Sequence, residues 1–288
     1  MNSYTTSDPV EEEEVQMNDL DLLEVTWITM TSLIIFVFGM LGNVITVYIY
    51  TRSKEQRRKK VFELILAAID IYALCVLLPI FTFDLYVNEG LSVYFSLAIS
   101  VVGQSYYTTI LCSTICRYVA VYRPFSFNIF IEKWRMRFVV IICVATLFVF
   151  GRTVVVKFIL TDKFTAVEVI DRMLVTVICL GSIAVLFILI IAKLVKPNEL
   201  VAQAAEQNPG LRKRHVVAVK TFGAVTLCFL ASYASAFIVR NGVLPLSAFY
   251  MYFLNHICNP VIYFLFNREF RAKVRDLIRL NPVQSEIT

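Results

Sequence analysis

Long apolar blocks alternate with short polar or charged connections along the whole chain. The blocks cover about residues 25–50, 61–83, 91–122, 137–160, 173–195, 215–239 and 243–266. A block of roughly 20 apolar residues is long enough to cross the hydrocarbon core of a bilayer. Such a block must be helical there, because lipid offers an open backbone no hydrogen bonds. The pattern therefore predicts an all-α membrane protein, a bundle of seven transmembrane helices.

The segments outside these blocks differ from them in composition. Residues 1–24 contain four consecutive glutamates at 11–14 and are interpreted as an acidic extracellular tail before the seven-helix domain, 25–266. Residues 267–280 place apolar side chains at helical spacing among arginines and lysines. That pattern is typical of a C-terminal amphipathic helix lying in the inner membrane interface. Residues 281–288 remain as a short C-terminal tail.

Lysine and arginine are distributed unevenly between the connections. The stretch TRSKEQRRKK at 51–60 and the tail after residue 266 are basic, whereas the first 51 residues contain no lysine or arginine. Cytosolic connections carry the basic excess in membrane proteins. We therefore expect a multi-pass plasma-membrane protein with its N-terminus extracellular and its C-terminus cytosolic. The net charge of +5 then indicates contact with anionic lipid and a cytosolic partner, not with nucleic acid.

Composition agrees with this class and gives no support to enzyme chemistry. Hydrophobic residues make up 58% of the chain and charged residues 17%. The two histidines, His215 and His256, belong to no metal-ligand spacing, and no nucleophile elbow or glycine-rich phosphate loop occurs. We predict no enzymatic activity and no certain metal site. A transporter is disfavoured because the two halves of the chain show no internal repeat.

Three polar residues interrupt the apolar spans at similar depth. Asn43, Asp70 and Asn259 each lie about seven to nine residues from the inner end of a span, which is roughly 10–14 Å at 1.5 Å per residue. A carboxylate and two amides at one depth can form a shared hydrogen-bond network. Helix–helix packing without any moving part explains the same depth equally well. His256, beside Asn259, is interpreted as a packed, hydrogen-bonded residue.

Four segments with these residues occur in a familiar order. GNV at 42–44, LAAID at 66–70, CRYVAVYRPF at 116–125 and NPVIYFLFNREFR at 259–271 fall on the first, second, third and seventh spans. Together they resemble the signature positions of rhodopsin-like (class A) G-protein-coupled receptors. The resemblance implies a receptor that binds an extracellular ligand and activates a heterotrimeric G protein. A seven-helix protein that no longer couples to G protein is the alternative.

The resemblance places a G-protein coupling and activation switch at the inner ends of the third and seventh spans. Its implied positions are Cys116, Arg117, Tyr118, Arg123, Pro124, Phe125, Asn259, Pro260 and Tyr263. Arg117 corresponds to the arginine that contacts the G protein, and Cys116 stands where an acid is usual. The sixth span also offers only LRKR at 211–214 instead of an acid. Arg117 is therefore predicted to lack both usual salt-bridge partners, and ligand-free signalling is predicted to be elevated.

The resemblance also implies a central polar network and a switch on the sixth helix. The network positions are Asn43, Asp70, Ser105, Asn255 and Asn259. Many of these receptors bind sodium there, but Tyr106 stands where a serine usually contributes. A sodium ion near Asp70 and a hydrogen-bonded Asp70 without sodium both remain open. On the sixth helix Cys228 is kept, while Phe229 and Ala231 replace the usual tryptophan and proline.

The outer ends of the spans suggest a ligand pocket without naming its ligand. Ile99 occupies the depth of the aspartate of amine receptors, and Phe253 stands at the position of the retinal lysine of opsins, so both classes are excluded. The segments NREFR and YRPF resemble those of neuropeptide receptors, which favours a peptide; a lipid or small acid is the alternative. Arg152 either pairs with a carboxylate or extends to the headgroups. The candidate pocket residues are Tyr94, Gln104, Tyr107, Arg152, Tyr233, Arg240, Tyr250 and Tyr252.

Overall fold

The computed structural model describes residues 9–87, 93–123, 126–158, 165–195, 217, 219–221, 223–232 and 250–279. These ranges contain helices and no strand. The helices are α1 (Pro9–Thr51), α2 (Lys54–Lys59), α3 (Val61–Tyr72), α4 (Leu78–Val87), α5 (Val93–Tyr122), α6 (Phe127–Phe158), α7 (Thr165–Val195), α8 (Val219–Ser232), α9 (Tyr250–Phe266) and α10 (Arg268–Ile278). The end of the bundle that carries α2 and α10 is called the inner end below.

Four helical segments have the length and apolar composition needed to cross a membrane. They are Val25–Thr51, Val61–Asp84, Val93–Tyr122 and Ile129–Val155, and Val177–Lys193 and Val219–Ser232 are shorter apolar helices. The first three predicted blocks agree with these bounds to within two residues. The fourth differs: α6 begins at Phe127, almost three turns before the block predicted from residue 137. The reason is that the first turns of α6 mix apolar and basic residues and therefore do not form a continuous apolar run.

The helix α1 extends well beyond its apolar part. It begins at Pro9, so the backbone of the predicted acidic tail is helical over residues 9–24. Proline is tolerated in the first turn of a helix, where its missing N–H would have no helical acceptor. The sequence prediction gave this segment no helix, because its residues lack an apolar face.

The second span is interrupted by a wider turn. The helix α3 continues through a π-helical turn, Ala73–Leu77, into α4. Pro79 follows directly after this turn, and because it has no backbone N–H it leaves a carbonyl of the preceding turn without a helical donor. A π-helical turn inserts an additional residue into the helix, so it changes the facing of everything beyond it.

The helix α5 is the centre of the bundle. About 67% of its most apolar stretch is buried, compared with 17% for that of α6. Two buried clusters pack along it: an outer one around Phe81, Phe95 and Phe253, and an inner one around Tyr106 and Tyr263. The polar residues discussed below lie between and beneath these clusters.

Close approach of α1 to its neighbours depends on a glycine. A Cβ added at Gly42 would lie 2.9 Å from the Cβ and Cγ atoms of Pro260 in α9. Atoms that close must move apart, so only glycine lets the two backbones meet at this depth. This contact gives a physical reason for the glycine in the GNV segment.

The amphipathic helix predicted at 267–280 is present as α10. The Asn267 side chain caps it by accepting hydrogen bonds from the backbone N–H groups of Glu269 and Phe270, at 3.1 and 3.2 Å. Phe270 and Val274 are buried against the inner cluster. The helix therefore packs its apolar face against the inner end of α1 and α9.

Candidate functional site

A buried carboxylate forms the centre of the site. Asp70 in α3 is fully buried, and both of its oxygens accept hydrogen bonds from α9. His256 Nδ1 donates to Asp70 Oδ1 at 2.7 Å, and Asn259 Nδ2 donates to Asp70 Oδ2 at 2.7 Å. A buried charge needs such partners, since an unpaired one is very costly. Asp70 and Asn259 therefore do meet as the depth argument predicted, and His256 is hydrogen-bonded as expected.

Two aromatic rings connect this network to α5 and α8. Asn259 Nδ2 also contacts the Tyr106 hydroxyl, and the Tyr106 ring stacks on Phe229 with centroids 5.0 Å apart and planes at 9°. Phe229 meets Tyr107 edge-on at 5.0 Å as well. Phe229, which was predicted as part of the sixth-helix switch, thus contacts the network through Tyr106. Cys228 is half-buried beside it, against the inner cluster.

Asn43 has a different role from the one predicted. Its Nδ2 donates to the Gly39 carbonyl at 2.9 Å and to the His256 carbonyl at 2.8 Å. The His256 carbonyl is the acceptor that loses its helical partner, because Pro260, four residues later, has no N–H. Asn43 therefore satisfies the backbone at the proline of α9 and joins the Asp70 network only through His256.

Ser105 and Asn255 differ in how they relate to the network. The Ser105 hydroxyl donates to the Val101 carbonyl at 2.7 Å and lies 2.9 Å from the Thr146 hydroxyl, so it faces α6. The prediction that placed it beside Asp70 is wrong because its position on α5 is rotated toward α6. Asn255 is buried, and its side-chain oxygen accepts no hydrogen bond from the described residues.

The residues around Asp70 do not fit a sodium ion. Sodium needs several free oxygen ligands, but both Asp70 oxygens already accept hydrogen bonds and an imidazole lies against one of them. Tyr106 fills the position of the usual serine, and its ring is fully buried between Phe229 and His256. Buried amide oxygens without a donor among the described residues belong to Asn43, Asn255 and Asn259. Since these amide oxygens could serve as ligands, the imidazole on Asp70 Oδ1 and the Tyr106 ring are what argue against an ion here.

At the inner end, Arg117 has an acidic partner. Its Nη2 lies 3.3 Å from Glu63 Oε1, and Lys60 Nζ lies 3.1 Å from the same oxygen. Position 116 supplies no acid and residues 211–214 lie outside the described residues, yet Arg117 is still paired, because α3 supplies an acid that the sequence prediction did not consider. Sequence reasoning examined the two helices where these receptors usually carry the acid, whereas this one comes from α3. A signal was present: Glu63 precedes Asp70 by seven residues and so shares its face of the helix.

The other predicted switch residues are spread over the inner surface. Cys116 is buried with Phe62 and Phe138, and Tyr118 stacks on Tyr122 at 4.2 Å. Tyr263 is buried. Arg123 is exposed at the end of α5, and Pro124 and Phe125 lie outside the described residues.

Aromatic contacts fix Tyr263 below Pro260 on α9. Its ring meets Tyr50 edge-on at 6.4 Å and Phe270 at 6.1 Å. The Lys60 ammonium lies 5.8 Å from the centre of the Tyr50 ring. These contacts join Tyr263 of α9 to Tyr50 of α1 and Phe270 of α10. Lys60, which lies over Tyr50, connects this aromatic group to Glu63.

The structure does not gather the predicted pocket residues into one described cavity. Tyr252 is buried against His256, Tyr107 is buried against Phe229, and Gln104 Nε2 donates to Thr108 at 3.0 Å. Tyr94 is 71% exposed, and Arg152 is half-buried. Tyr233 and Arg240 lie outside the described residues.

A polar contact at the outer end was not anticipated. The Tyr250 hydroxyl lies 2.8 Å from the Ser32 hydroxyl and donates to the Ile28 carbonyl at 3.2 Å, and Ser32 lies 2.9 Å from Thr82. These contacts join α1, α4 and α9. Single hydroxyls in apolar spans carry little sequence signal, because Ser and Thr can also bond to their own helix.

Comparison with known proteins places this geometry in a known architecture. Squid rhodopsin matches over 90% of this chain and 86% of its own length, with a TM-score of 0.71 and 16% sequence identity. No family model and no curated protein matches the chain. The chain has the rhodopsin fold. The predicted seven-helix bundle and the rhodopsin-like resemblance are thereby confirmed at the level of the fold.

The match also bears on the predicted location. The apolar helices and this fold describe a multi-pass membrane protein. At the position predicted for the retinal lysine of opsins, Phe253 is fully buried among Phe81, Tyr250 and Tyr252. The likeness to rhodopsin is thus one of fold, and this position supplies no lysine.

Proposed function

We propose that the chain is a G-protein-coupled receptor of the plasma membrane, which binds an extracellular ligand and activates a heterotrimeric G protein on its cytosolic side. The observation that carries this proposal is the placement of Arg117. It lies at the inner end of the central helix of a rhodopsin fold, 27% exposed and held by a single carboxylate. A partly buried cation held so lightly is suited to exchange its partner.

The path from ligand to Arg117 runs through the Asp70 network. Phe229 in α8 stacks on Tyr106, and Tyr106 contacts Asn259 in α9. A ligand that displaces the outer part of α8 or α9 therefore changes contacts of Asp70. Tyr263 follows Asn259 by four residues on the same face of α9, so movement at the network reaches the inner cluster.

The proposed ligand is a peptide. Its support is the similarity of the YRPF and NREFR segments to those of neuropeptide receptors, together with the polar, aromatic and basic candidates Gln104, Tyr107, Arg152 and Tyr252. A cation such as Arg152 within a span usually faces the bundle interior and pairs with an acid. A lipid or a small acid as ligand would be revealed by the same screen.

A reporter screen tests the function directly. Cells that express the chain with a promiscuous G-protein reporter are exposed to secreted peptides, and then to lipids and small acids. Arg117→Ala should abolish the response at equal surface expression. Arg137→Ala is the matched control, because Arg137 lies over the Trp134 ring of α6 at 4.7 Å, away from the switch. Equal responses from wild type and Arg117→Ala would contradict the proposal.

Orientation is tested separately. An epitope tag at the N-terminus should be labelled on intact cells, and one at the C-terminus only after permeabilisation. The reverse labelling would place Arg117 outside the cell and exclude contact with a G protein.

A further inference from the structure

The Glu63 carboxylate lies between two cations at the inner end of the bundle. Lys60, one turn before it, is 3.1 Å from Oε1, and Arg117 from α5 is 3.3 Å from the same oxygen. The Glu63 side chain is only 13% exposed. Ion pairs in water contribute little, but a carboxylate this far removed from solvent requires a partner.

The helix α3 presents two carboxylates to the interior on one face. Glu63 and Asp70 are seven residues apart, which is roughly 10 Å along the axis at 1.5 Å per residue. Asp70 is bonded to α9, and Glu63 is bonded to α5. One rigid helix therefore connects the central network to the arginine.

No other acid takes this role among the residues that the structure describes. Glu63 is the only carboxylate in that part of the chain within 4.0 Å of the Arg117 guanidinium. Cys116, which precedes the arginine, is buried in the apolar cluster with Phe62 and Phe138 and supplies no negative charge.

We infer that Glu63 is the positioning residue that restrains Arg117 in the ligand-free state, in place of an acid at position 116. This inference rests on the proposed function. Arg117 has to leave the Glu63 oxygen before its guanidinium can meet an inserting protein. Lys60 contacts the same oxygen and stays when Arg117 leaves, so release does not strand a buried charge. The restraint is therefore strong enough to bias the switch and weak enough to open.

Glu63→Gln removes the charge and keeps the size of the side chain. We expect ligand-free G-protein activation to rise about three- to tenfold at equal surface expression, the range for loss of one partly buried ion pair in a two-state switch. Glu55→Gln is the matched control, because Glu55 lies in the same basic stretch but is 73% exposed and pairs only with Lys59 among the described residues. It should stay within about twofold of wild type.

A second variant tests the position of the charge. Cys116→Asp in the Glu63→Gln background places a carboxylate beside Arg117 again and should return the basal signal to near the wild-type level. Basal activity unchanged in Glu63→Gln, or raised equally in Glu55→Gln, would overturn the inference while leaving the receptor function standing.

A melting experiment keeps the test independent of signalling. Purified wild type, Glu63→Gln, Arg117→Gln and the double variant are compared by thermal unfolding. Coupled residues give non-additive shifts, so the double variant should melt no lower than the worse single one. If no variant activates any G protein, the proposed function fails. Additive melting shifts would separately overturn the restraint of Arg117 by Glu63.

Discussion

Replacing His256 by serine should make the stability of this protein depend on sodium. In the wild type the imidazole occupies one Asp70 oxygen at 2.7 Å, and Asn259 occupies the other. Serine is too short to keep that contact, so the variant leaves an oxygen of a fully buried carboxylate without a donor. Asn255 and Asn259, on the same helix as His256, have buried amide oxygens that accept no hydrogen bond from the described residues and could serve as further ligands.

The size of the effect follows from burial. The side chains of His256 and Asp70 are 1% and 0% exposed, and removal of one partner from a buried pair costs about 3–5 kcal/mol. At roughly 2–4 °C per kcal/mol for a chain of this size, His256→Ser should melt roughly 6–20 °C lower without sodium. Sodium at ten times its Kd would return about 1.4 kcal/mol, or roughly 3–6 °C.

Thermal unfolding in sodium chloride and in choline chloride, both at about 0.15 M, measures this difference. Wild type should melt at the same temperature in both salts, and His256→Ser should melt higher in sodium. Ser105→Ala is the control, because Ser105 bonds toward α6 and should leave the salt response of the wild type unchanged. A wild-type protein that is itself stabilised by sodium over choline would refute the reasoning, since the ion would then share Asp70 with the imidazole.

Two further substitutions test the contact between α1 and α9. Asn43→Ala should lower the free energy of unfolding by about 1–3 kcal/mol, because the His256 carbonyl loses its donor; an unchanged melting temperature would mean that water replaces the amide. Gly42→Ala should cost about 1–3 kcal/mol, since its Cβ would lie 2.9 Å from Pro260. Gly151→Ala, with nothing within 4 Å of the added Cβ, should be neutral or stabilising in the same melting assay.

The spans and the polar layer could be predicted from the sequence because each depends on one helix at a time. Apolar length determines which segments cross the membrane, and residue counting gives the depth of Asp70 and Asn259. Depth made a hydrogen bond between them possible, and the structure contains one. The family resemblance likewise depends on motifs that are local in sequence.

Contacts between side chains of different helices could not be predicted, since they depend on how each helix is rotated about its own axis. Ser105 and Tyr106 are adjacent, yet one faces α6 and the other faces Asn259. The same rotation brings Glu63 to Arg117. The seven-residue spacing from Asp70 places Glu63 on the interior face of α3, but it does not indicate which residue of α5 it meets.

The π-helical turn at Ala73–Leu77 divides the second span into two halves that can be aimed separately. Below it, Glu63 and Asp70 point toward Arg117 and α9; above it, Thr82 meets Ser32. A substitution that makes the turn regular without removing a residue would rotate every side chain of the upper half by about 100° relative to the lower half, the angle that one residue spans in an α-helix. Thr82 would then turn away from Ser32 while Glu63 and Asp70 kept their partners, so this short turn sets how the two ends of the bundle face each other.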